Sequence, residues 1–136
     1  MKKATIDTNV FVSGLLFGGL PLKLLEGVIH RKFTLVISPP LMEEIEKVLM
    51  SKKFGLSKIE IDSLTRPFFE LADLVIPIET IDVIMRCPAD NRVLECAVTG
   101  NCFAIVSGDR KDLVSLKNFR GISIMTPRDF YDSIFK

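Results

Sequence analysis

Acidic residues follow apolar segments in this chain, at places where a carboxylate is costly. Asp7 comes directly after the run Ala4-Thr5-Ile6, and Asp109 follows the apolar run 103–106 after a Ser-Gly pair. A carboxylate near a sheet core is expensive unless it is paired or binds a metal ion. Ligand crevices of open α/β sheets lie at the carboxyl ends of strands, so both acids would share one crevice if their strands are neighbours.

Asp90 is a third acid at the edge of an element, in the first turn of a predicted helix that ends at Gly100. It continues the helix face formed by Leu94 and Ala97, which directs it toward the interior. The other interpretation is a capping role, because the N-terminus of a helix favours an acid.

A fourth acid is expected on the helix that follows residue 39, which carries Glu43, Glu44 and Glu46. Glu43 lies opposite the apolar face of this helix and is suited to pair with Lys47 at i+4. Glu44 and Glu46 flank the two edges of the apolar face. Helical periodicity alone therefore leaves both as candidates.

Several carboxylates that converge on one cleft repel each other unless a cation joins them. Oxygen ligands suit a hard divalent ion such as Mg²⁺ or Mn²⁺. The one histidine, His30, stands in a charged His-Arg-Lys segment, and the three cysteines form no CxxC pair. A zinc site or a histidine-based triad is therefore poorly supported, and the sequence predicts a metal held by acids.

Basic residues next to these acids are candidates for phosphate contacts. Arg92 follows Asp90 closely, and Arg110 and Lys111 follow Asp109. Lysine and arginine commonly contact phosphate oxygens in nucleic-acid complexes. Each of the three has an equally plain interpretation as a solvated surface charge.

Strands and helices are predicted to alternate, which is typical of a parallel α/β sandwich. Ser38 and Thr126 are predicted helix N-caps, and Gly108 is predicted to allow a tight turn before Asp109. The predicted strands are 3–6, 33–37, 74–78, 103–106 and 122–125. The predicted helices are 9–16, 21–29, 39–50, 57–72, one that ends at Gly100, 111–117 and one after Pro127.

The size and composition of the chain fit one domain over residues 1–136 with a substantial core. Hydrophobic residues make up 48% of the 136 residues, and the net charge is +1. This balance gives no global signature of nucleic-acid or membrane binding, so local charge or metal must hold any polyanion. No apolar run approaches the ~18 residues of a membrane span, and no signal peptide is expected. We expect a cytoplasmic protein.

Four sequence blocks in order resemble the PIN-domain proteins, and within them the VapC-like ribonucleases, the toxins of toxin–antitoxin pairs. The resemblance covers about residues 4–130 and implies a three-layer α/β/α sandwich around a Rossmann-like central parallel sheet. The blocks are Ile6-Asp7-Thr8-Asn9-Val10, Ser38-Pro39 leading to Glu43-Glu44-Ile45, Pro88-Ala89-Asp90-Asn91 with Leu94-Glu95-Cys96-Ala97, and the run 105–113 (IVSGDRKDL).

The resemblance also implies roles for individual residues, and it selects Glu44 over Glu46. Asn9 and Ser107 match polar residues that support the metal site in this family. The implied catalytic acids are Asp7, Glu44, Asp90 and Asp109, of which Asp7, Asp90 and Asp109 are the implied metal ligands, with Glu44 and Asp112 as further candidates.

By this resemblance the expected activity is Mg²⁺- or Mn²⁺-dependent hydrolysis of phosphodiester bonds in single-stranded RNA. The expected partners are an antitoxin protein and a second copy of the chain. The alternative is a catalytically silent PIN scaffold that binds protein or nucleic acid. A haloacid-dehalogenase-type phosphatase needs an acid where this chain has Asn9, and a receiver domain needs an acidic pair before Asp7.

Overall fold

Helices and strands alternate along the chain, as the apolar pattern predicts. The computed structural model describes residues 1–84, 88–108 and 113–135. The elements are β1 (Lys3–Ile6), α1 (Thr8–Leu16), α2 (Gly19–Ile29), β2 (Thr34–Ile37), α3 (Pro39–Leu49), α4 (Lys58–Leu71), β3 (Asp73–Leu74), α5 (Pro88–Thr99), β4 (Ala104–Val106), α6 (Leu113–Leu116), β5 (Asn118–Phe119), β6 (Ile122–Met125) and α7 (Pro127–Phe135).

The sheet has the order β3-β2-β1-β4-β6-β5, and all of its pairings except β5 with β6 are parallel. The chain starts in the middle of the sheet at β1, winds outward through β2 and β3, and returns on the other side at β4. Strand order therefore reverses between β1 and β4, where Ile6 lies opposite Val106. This confirms that the strands preceding Asp7 and Asp109 are neighbours.

Helices cover both faces of this sheet. On one face α5 packs against β1, β2 and β4, and Val36 approaches Gly100 so closely that a Cβ there would lie 2.5 Å from its Cγ1. On the other face α7 packs on β4 and β6, and the Phe33 and Phe130 rings meet edge to face at 5.0 Å. These layers confirm the predicted α/β/α sandwich.

One predicted strand is wrong in its extent, and one observed strand was not predicted. The predicted strand 74–78 is reduced to β3 and one further hydrogen bond, from the amide of Val75 to the carbonyl of Ile37 at 2.9 Å. Pro77 has no N–H to continue the ladder. The short antiparallel β5, in contrast, carries no apolar pattern that would predict it.

The two predicted helix caps behave differently. The hydroxyl of Thr126 accepts a hydrogen bond from the Asp129 amide at 3.2 Å, which confirms the cap of α7. Ser38 occupies the N-cap position of α3, but its side chain makes no capping hydrogen bond to the described residues of that helix. Pro40 at the second helical position lacks an N–H, so one of the two amides that such a cap commonly binds is missing.

In the part of the chain that the structure describes, no single helix is long and apolar enough to cross a membrane. Only α1 and α2 taken together reach that length and composition, and they are bent by 94° with respect to each other.

Candidate active site

Asp7 is the N-cap of α1 and lies at the carboxyl end of β1, with 5% of its surface exposed. Its Oδ1 accepts a hydrogen bond from the Val10 amide at 2.9 Å, and its Oδ2 accepts one from the Ser107 hydroxyl at 2.5 Å. Aspartate is a favoured N-cap residue, and the positive end of the helix dipole stabilises its charge. The carboxylate is therefore held in one orientation.

Ser107 reaches Asp7 because β1 and β4 are paired. The Asp7 amide donates to the Val106 carbonyl at 2.9 Å, and the Ser107 amide donates to the Met125 carbonyl at 2.9 Å. Ser107 is fully buried, so its hydroxyl is fixed between neighbouring strands. This placement agrees with the predicted supporting role, since Ser107 contacts the first predicted acid directly.

Three of the predicted acids line one small cavity, which we call the acid cavity. Its volume is about 70 Å³, and its lining residues are Asp7, Thr8, Asn9, Glu44, Ala89, Asp90 and Val93. A cavity of this size can hold water molecules or a small ion. The acids come from three elements that are far apart in sequence, α1, α3 and α5.

Asp90 and Glu44 enter the acid cavity from opposite helices. Asp90 belongs to the first turn of α5, and its Oδ2 is buried. Glu44 is half-buried on α3, whereas Glu46 lines a separate groove against α4, next to Asp62 and Arg66. The structure thus makes the same choice between Glu44 and Glu46 as the sequence resemblance.

The donor set of the acid cavity fits a hard divalent cation in its chemistry. All of its ionisable donors are carboxylates, which Mg²⁺ and Mn²⁺ prefer over the nitrogen and sulfur ligands of zinc. Within residues 1–84, 88–108 and 113–135, no three His, Cys, Asp or Glu side chains form a group that could hold a metal ion. Asp109 and Asp112, as well as Arg110 and Lys111, lie outside the described residues.

Arg92 is placed away from the acid cavity, so the structure does not support it as a phosphate contact. Its guanidinium Nη2 lies 2.9 Å from Oε2 of Glu95 and donates to the Ile81 carbonyl at 3.0 Å. Two residues along a helix correspond to about 200° of rotation, so Arg92 faces away from the side that carries Asp90.

Sequence reasoning missed a polar clamp on α5 formed by Asn91, Arg92 and Glu95. Asn91 is 1% exposed, accepts hydrogen bonds from the amides of Val83 and Ile84 at 3.1 and 2.8 Å, and donates to the Ile84 carbonyl at 2.7 Å. Glu95 accepts a hydrogen bond from the Ile81 amide at 2.8 Å. The i, i+4 spacing of Asn91 and Glu95 within an otherwise apolar stretch was the available signal.

A larger groove adjoins the acid cavity, and we call it the Asn9 groove because Asn9 lines both. Its volume is about 460 Å³ and its lining residues are Asn9, Val10, Ser13, Pro21, Gly108 and Pro127. The backbone of Gly108 does not have the left-handed φ that only glycine adopts easily, so the predicted reason for this glycine is wrong. A Cβ at Gly108 would meet only the Val10 Cγ2 at 3.9 Å.

Cys96 and Cys102 lie on the α5 face of β1, against the hydroxyl of Thr5. Burial raises the pKa of each thiol from 9.0 to about 11. Both thiols therefore stay protonated near neutral pH, which makes them poor metal ligands and nucleophiles. Cys96 and Cys102 are therefore small buried residues of the core, while Cys87 lies outside the described residues.

A family model described as the PIN domain matches residues 3–111. An uncharacterized protein of Methanocaldococcus jannaschii, MJ1680, is 28% identical over 146 residues, which cover 98% of this chain and 92% of that protein.

Two solved structures share the fold at low sequence identity. The first is a crystal structure of VapBC2 from Rickettsia felis bound to a DNA fragment from its promoter. It is 14% identical to this chain in sequence, with a TM-score of 0.62, and the match covers 91% of this chain and 98% of that chain. PAE2754 from Pyrobaculum aerophilum is 13% identical with a TM-score of 0.60, over 98% of this chain and 90% of that one.

Proposed function

This chain belongs to the PIN-domain family, and we propose on that basis that it is a divalent-metal-dependent endoribonuclease that hydrolyses phosphodiester bonds of single-stranded RNA. The family match over residues 3–111 confirms the resemblance drawn from the four sequence blocks. The match extends past Asp109, so it includes all four predicted catalytic acids.

The observation that carries the proposal is the convergence of Asp7, Glu44 and Asp90 on the acid cavity. Helix capping accounts for Asp7 by itself, but it does not explain why a glutamate from another helix faces the same space. The cavity also lies at the carboxyl ends of β1 and β4, at the point where strand order reverses. Ligands of open α/β sheets bind at such points.

The acids of the cavity, completed by Asp109, are the proposed holders of Mg²⁺ or Mn²⁺. When bound, such an ion activates a water molecule and offsets the charge that develops on the scissile phosphate. The chain itself fixes the geometry, since the Val10 amide and the Ser107 hydroxyl orient both oxygens of Asp7. In this proposal Glu44 orients the attacking water or joins the metal ligands, and Asn9 supports the metal site.

Arg110 and Lys111 remain the proposed phosphate contacts, because they follow Asp109 directly in sequence. We also propose that the chain forms a single cytoplasmic domain. The fold shared with VapBC2 supports a further proposal, that the protein is the toxin of a toxin–antitoxin pair whose antitoxin covers the acid cavity. A short upstream gene for a DNA-binding protein would support this pairing, as would copurification of its product.

The test is cleavage of labelled single-stranded RNA by the purified chain. Cleavage should require Mg²⁺ or Mn²⁺, stop with EDTA, and fall by about 100-fold or more in Asp109→Asn, a loss of roughly 3 kcal/mol of transition-state stabilisation. Glu43→Gln is the matched control, because Glu43 is exposed on the helix that carries Glu44. Cleavage that persists in EDTA, or in Asp109→Asn at the control rate, would refute the proposal.

The silent binding module is the second candidate. One observation favours it: the described residues by themselves form no group of three acids that could hold a metal ion. RNA retained by the protein without cleavage, in either metal ion and with all four acids intact, would establish this alternative.

A further inference from the structure

The Asn9 groove is a second concave site beside the acid cavity. Its volume of about 460 Å³ falls within the range of about 300–1,000 Å³ that is typical of small-ligand pockets. Asn9 is exposed and lines both spaces, so the two are adjacent at the carboxyl edge of the sheet.

The chemistry of the Asn9 groove differs from that of the acid cavity. Among its described lining residues there is no charged side chain, and Val10, Pro21 and Pro127 give it apolar walls. The amide of Asn9 and the hydroxyl of Ser13 supply a few polar groups. Such a lining suits a flat, uncharged group with polar edges.

Gly108 gives independent evidence that the groove is kept open. Its φ lies outside the left-handed region, and among residues 1–84, 88–108 and 113–135 the atom nearest to an added Cβ is the Val10 Cγ2 at 3.9 Å. Neither a left-handed φ nor contact with these described residues therefore requires glycine here. Because Gly108 lines the groove and is exposed, a larger side chain would occupy space that the glycine leaves open.

The walls of the groove belong to tightly packed elements. A Cβ on Gly14 would lie 2.7 Å from the Cδ1 of Leu25 and 3.0 Å from the backbone of Pro21, so α1 and α2 pack closely where they line the groove. A preformed site of this kind loses little conformational entropy when a ligand binds.

We propose that the Asn9 groove binds the nucleoside next to the phosphate that the acid cavity holds. This inference rests on the proposed function and adds a subsite to it. The base packs against the two prolines and Val10, and its edge hydrogen-bonds with the Asn9 amide and the Ser13 hydroxyl. Asparagine and serine side chains are common partners of base edges, and unstacked bases are the usual target in single-stranded RNA.

The first experiment compares Ser13→Leu with Ser63→Leu in RNA cleavage. Ser13 is half-buried in the groove, whereas Ser63 is exposed on α4 and does not line the groove. Filling the groove should raise KM by about 10-fold, as expected for a lost contact of roughly 1.4 kcal/mol, with kcat within about twofold. A KM for Ser13→Leu equal to that of the control would overturn the inference.

The second experiment separates the subsite from the nuclease activity. Amide NMR signals of Asn9, Ser13 and Gly108 are followed in the metal-free wild-type protein as each of the four ribonucleosides, or inorganic phosphate, is added. At least one nucleoside should shift these signals, phosphate should not, and Ser13→Leu should abolish the shifts. If no nucleoside shifts these signals, the nucleoside subsite is refuted, even when the protein cleaves RNA. If a nucleoside shifts them but RNA is not cleaved, the nuclease proposal is refuted and nucleoside binding in the Asn9 groove is supported.

Discussion

Two carboxylates buried in this fold, Asp7 and Glu95, show what separates a site residue from a structural one. They are similarly buried, with 5% and 8% of their surfaces exposed. Glu95 accepts a backbone hydrogen bond from Ile81 and forms an ion pair with Arg92 at 2.9 Å. Asp7 is hydrogen-bonded by two neutral groups and shares the acid cavity with Glu44 and Asp90.

The two acids differ in the groups that surround their carboxylates. The ion pair of Glu95 with Arg92 offsets its charge within the protein, and the hydrogen bond from the Ile81 amide helps to fix the segment 81–84 to α5. Asp7 borders a cavity that Glu44 and Asp90 also line, and carboxylates gathered in this way are stabilised when a cation bridges them. Burial alone therefore does not distinguish the two acids, whereas the shared cavity does.

The largest effect should come from Asp7→Asn, which tests this difference directly. Asparagine is as good an N-cap as aspartate, so the free energy of unfolding should change by less than about 1 kcal/mol. RNA cleavage should fall by about 100-fold or more, because the charge of the first acid is lost. Urea unfolding and initial cleavage rates measure the two effects.

Glu95→Gln is the counterpart in that first test, since it removes the other buried charge. The comparison fails if Glu95→Gln loses as much activity per folded molecule as Asp7→Asn does.

A smaller effect is expected for Glu44→Gln, with Glu46→Gln as its matched control on the same helix. Glu44 lines the acid cavity and Glu46 does not. Glu44→Gln should weaken Mn²⁺ binding by about 10- to 100-fold, the usual range for residues that support a metal site. Isothermal titration calorimetry measures this affinity, and equal loss in both variants would contradict the assignment.

Glu95→Ala should change stability and leave the chemistry of the cavity intact. The variant loses the backbone hydrogen bond from Ile81 and the ion pair with Arg92, which is itself 38% exposed. We expect a destabilisation of roughly 1–3 kcal/mol, reduced from the value of a fully buried pair by solvent screening. The free energy of urea unfolding checks this, and unchanged stability would show that the clamp contributes nothing.

The smallest effect near neutral pH concerns Cys96 and Cys102, which are buried but belong to no site. Their pKa is about 11 in the folded protein against 9.0 without burial, so the folded state binds the thiol protons more tightly. This contribution to stability is complete below pH 9.0 and is lost as the pH rises toward 11. Unfolding free energies from pH 7 to 10 should fall less steeply in Cys102→Ala than in wild type; equal slopes would contradict this.

Sequence patterns predicted the frame of the site because its strands are short apolar runs bounded by turns. β1 was predicted within its observed bounds. That the strands before Asp7 and Asp109 are neighbours was a condition that the sequence left open and that the sheet order fulfils. The sequence did place a polar residue directly after each of these strands, at the carboxyl end where ligands of open α/β sheets bind.

Tertiary packing decided what periodicity left open. The packing of α3 against α1 and α5 decides which edge of this helix faces the acid cavity. The apolar periodicity of α3 alone therefore does not distinguish Glu44 from Glu46. Arg92 does not line the acid cavity for a related reason, because it lies two residues after Asp90 and therefore on another side of the same helix. The pairing of Glu95 with Ile81 spans a loop that carries no periodic signal.

The hydrogen bond between Ser107 and Asp7 joins residues 100 positions apart. Ribosomes add about 5–20 residues per second, so roughly 5–20 s separate the synthesis of the acid from that of its partner. Contacts this distant in sequence also slow folding, because a long loop must close before they form. A nascent chain thus carries its first acid for most of translation without β4 beside it, and a product truncated before β4 never acquires the oriented carboxylate.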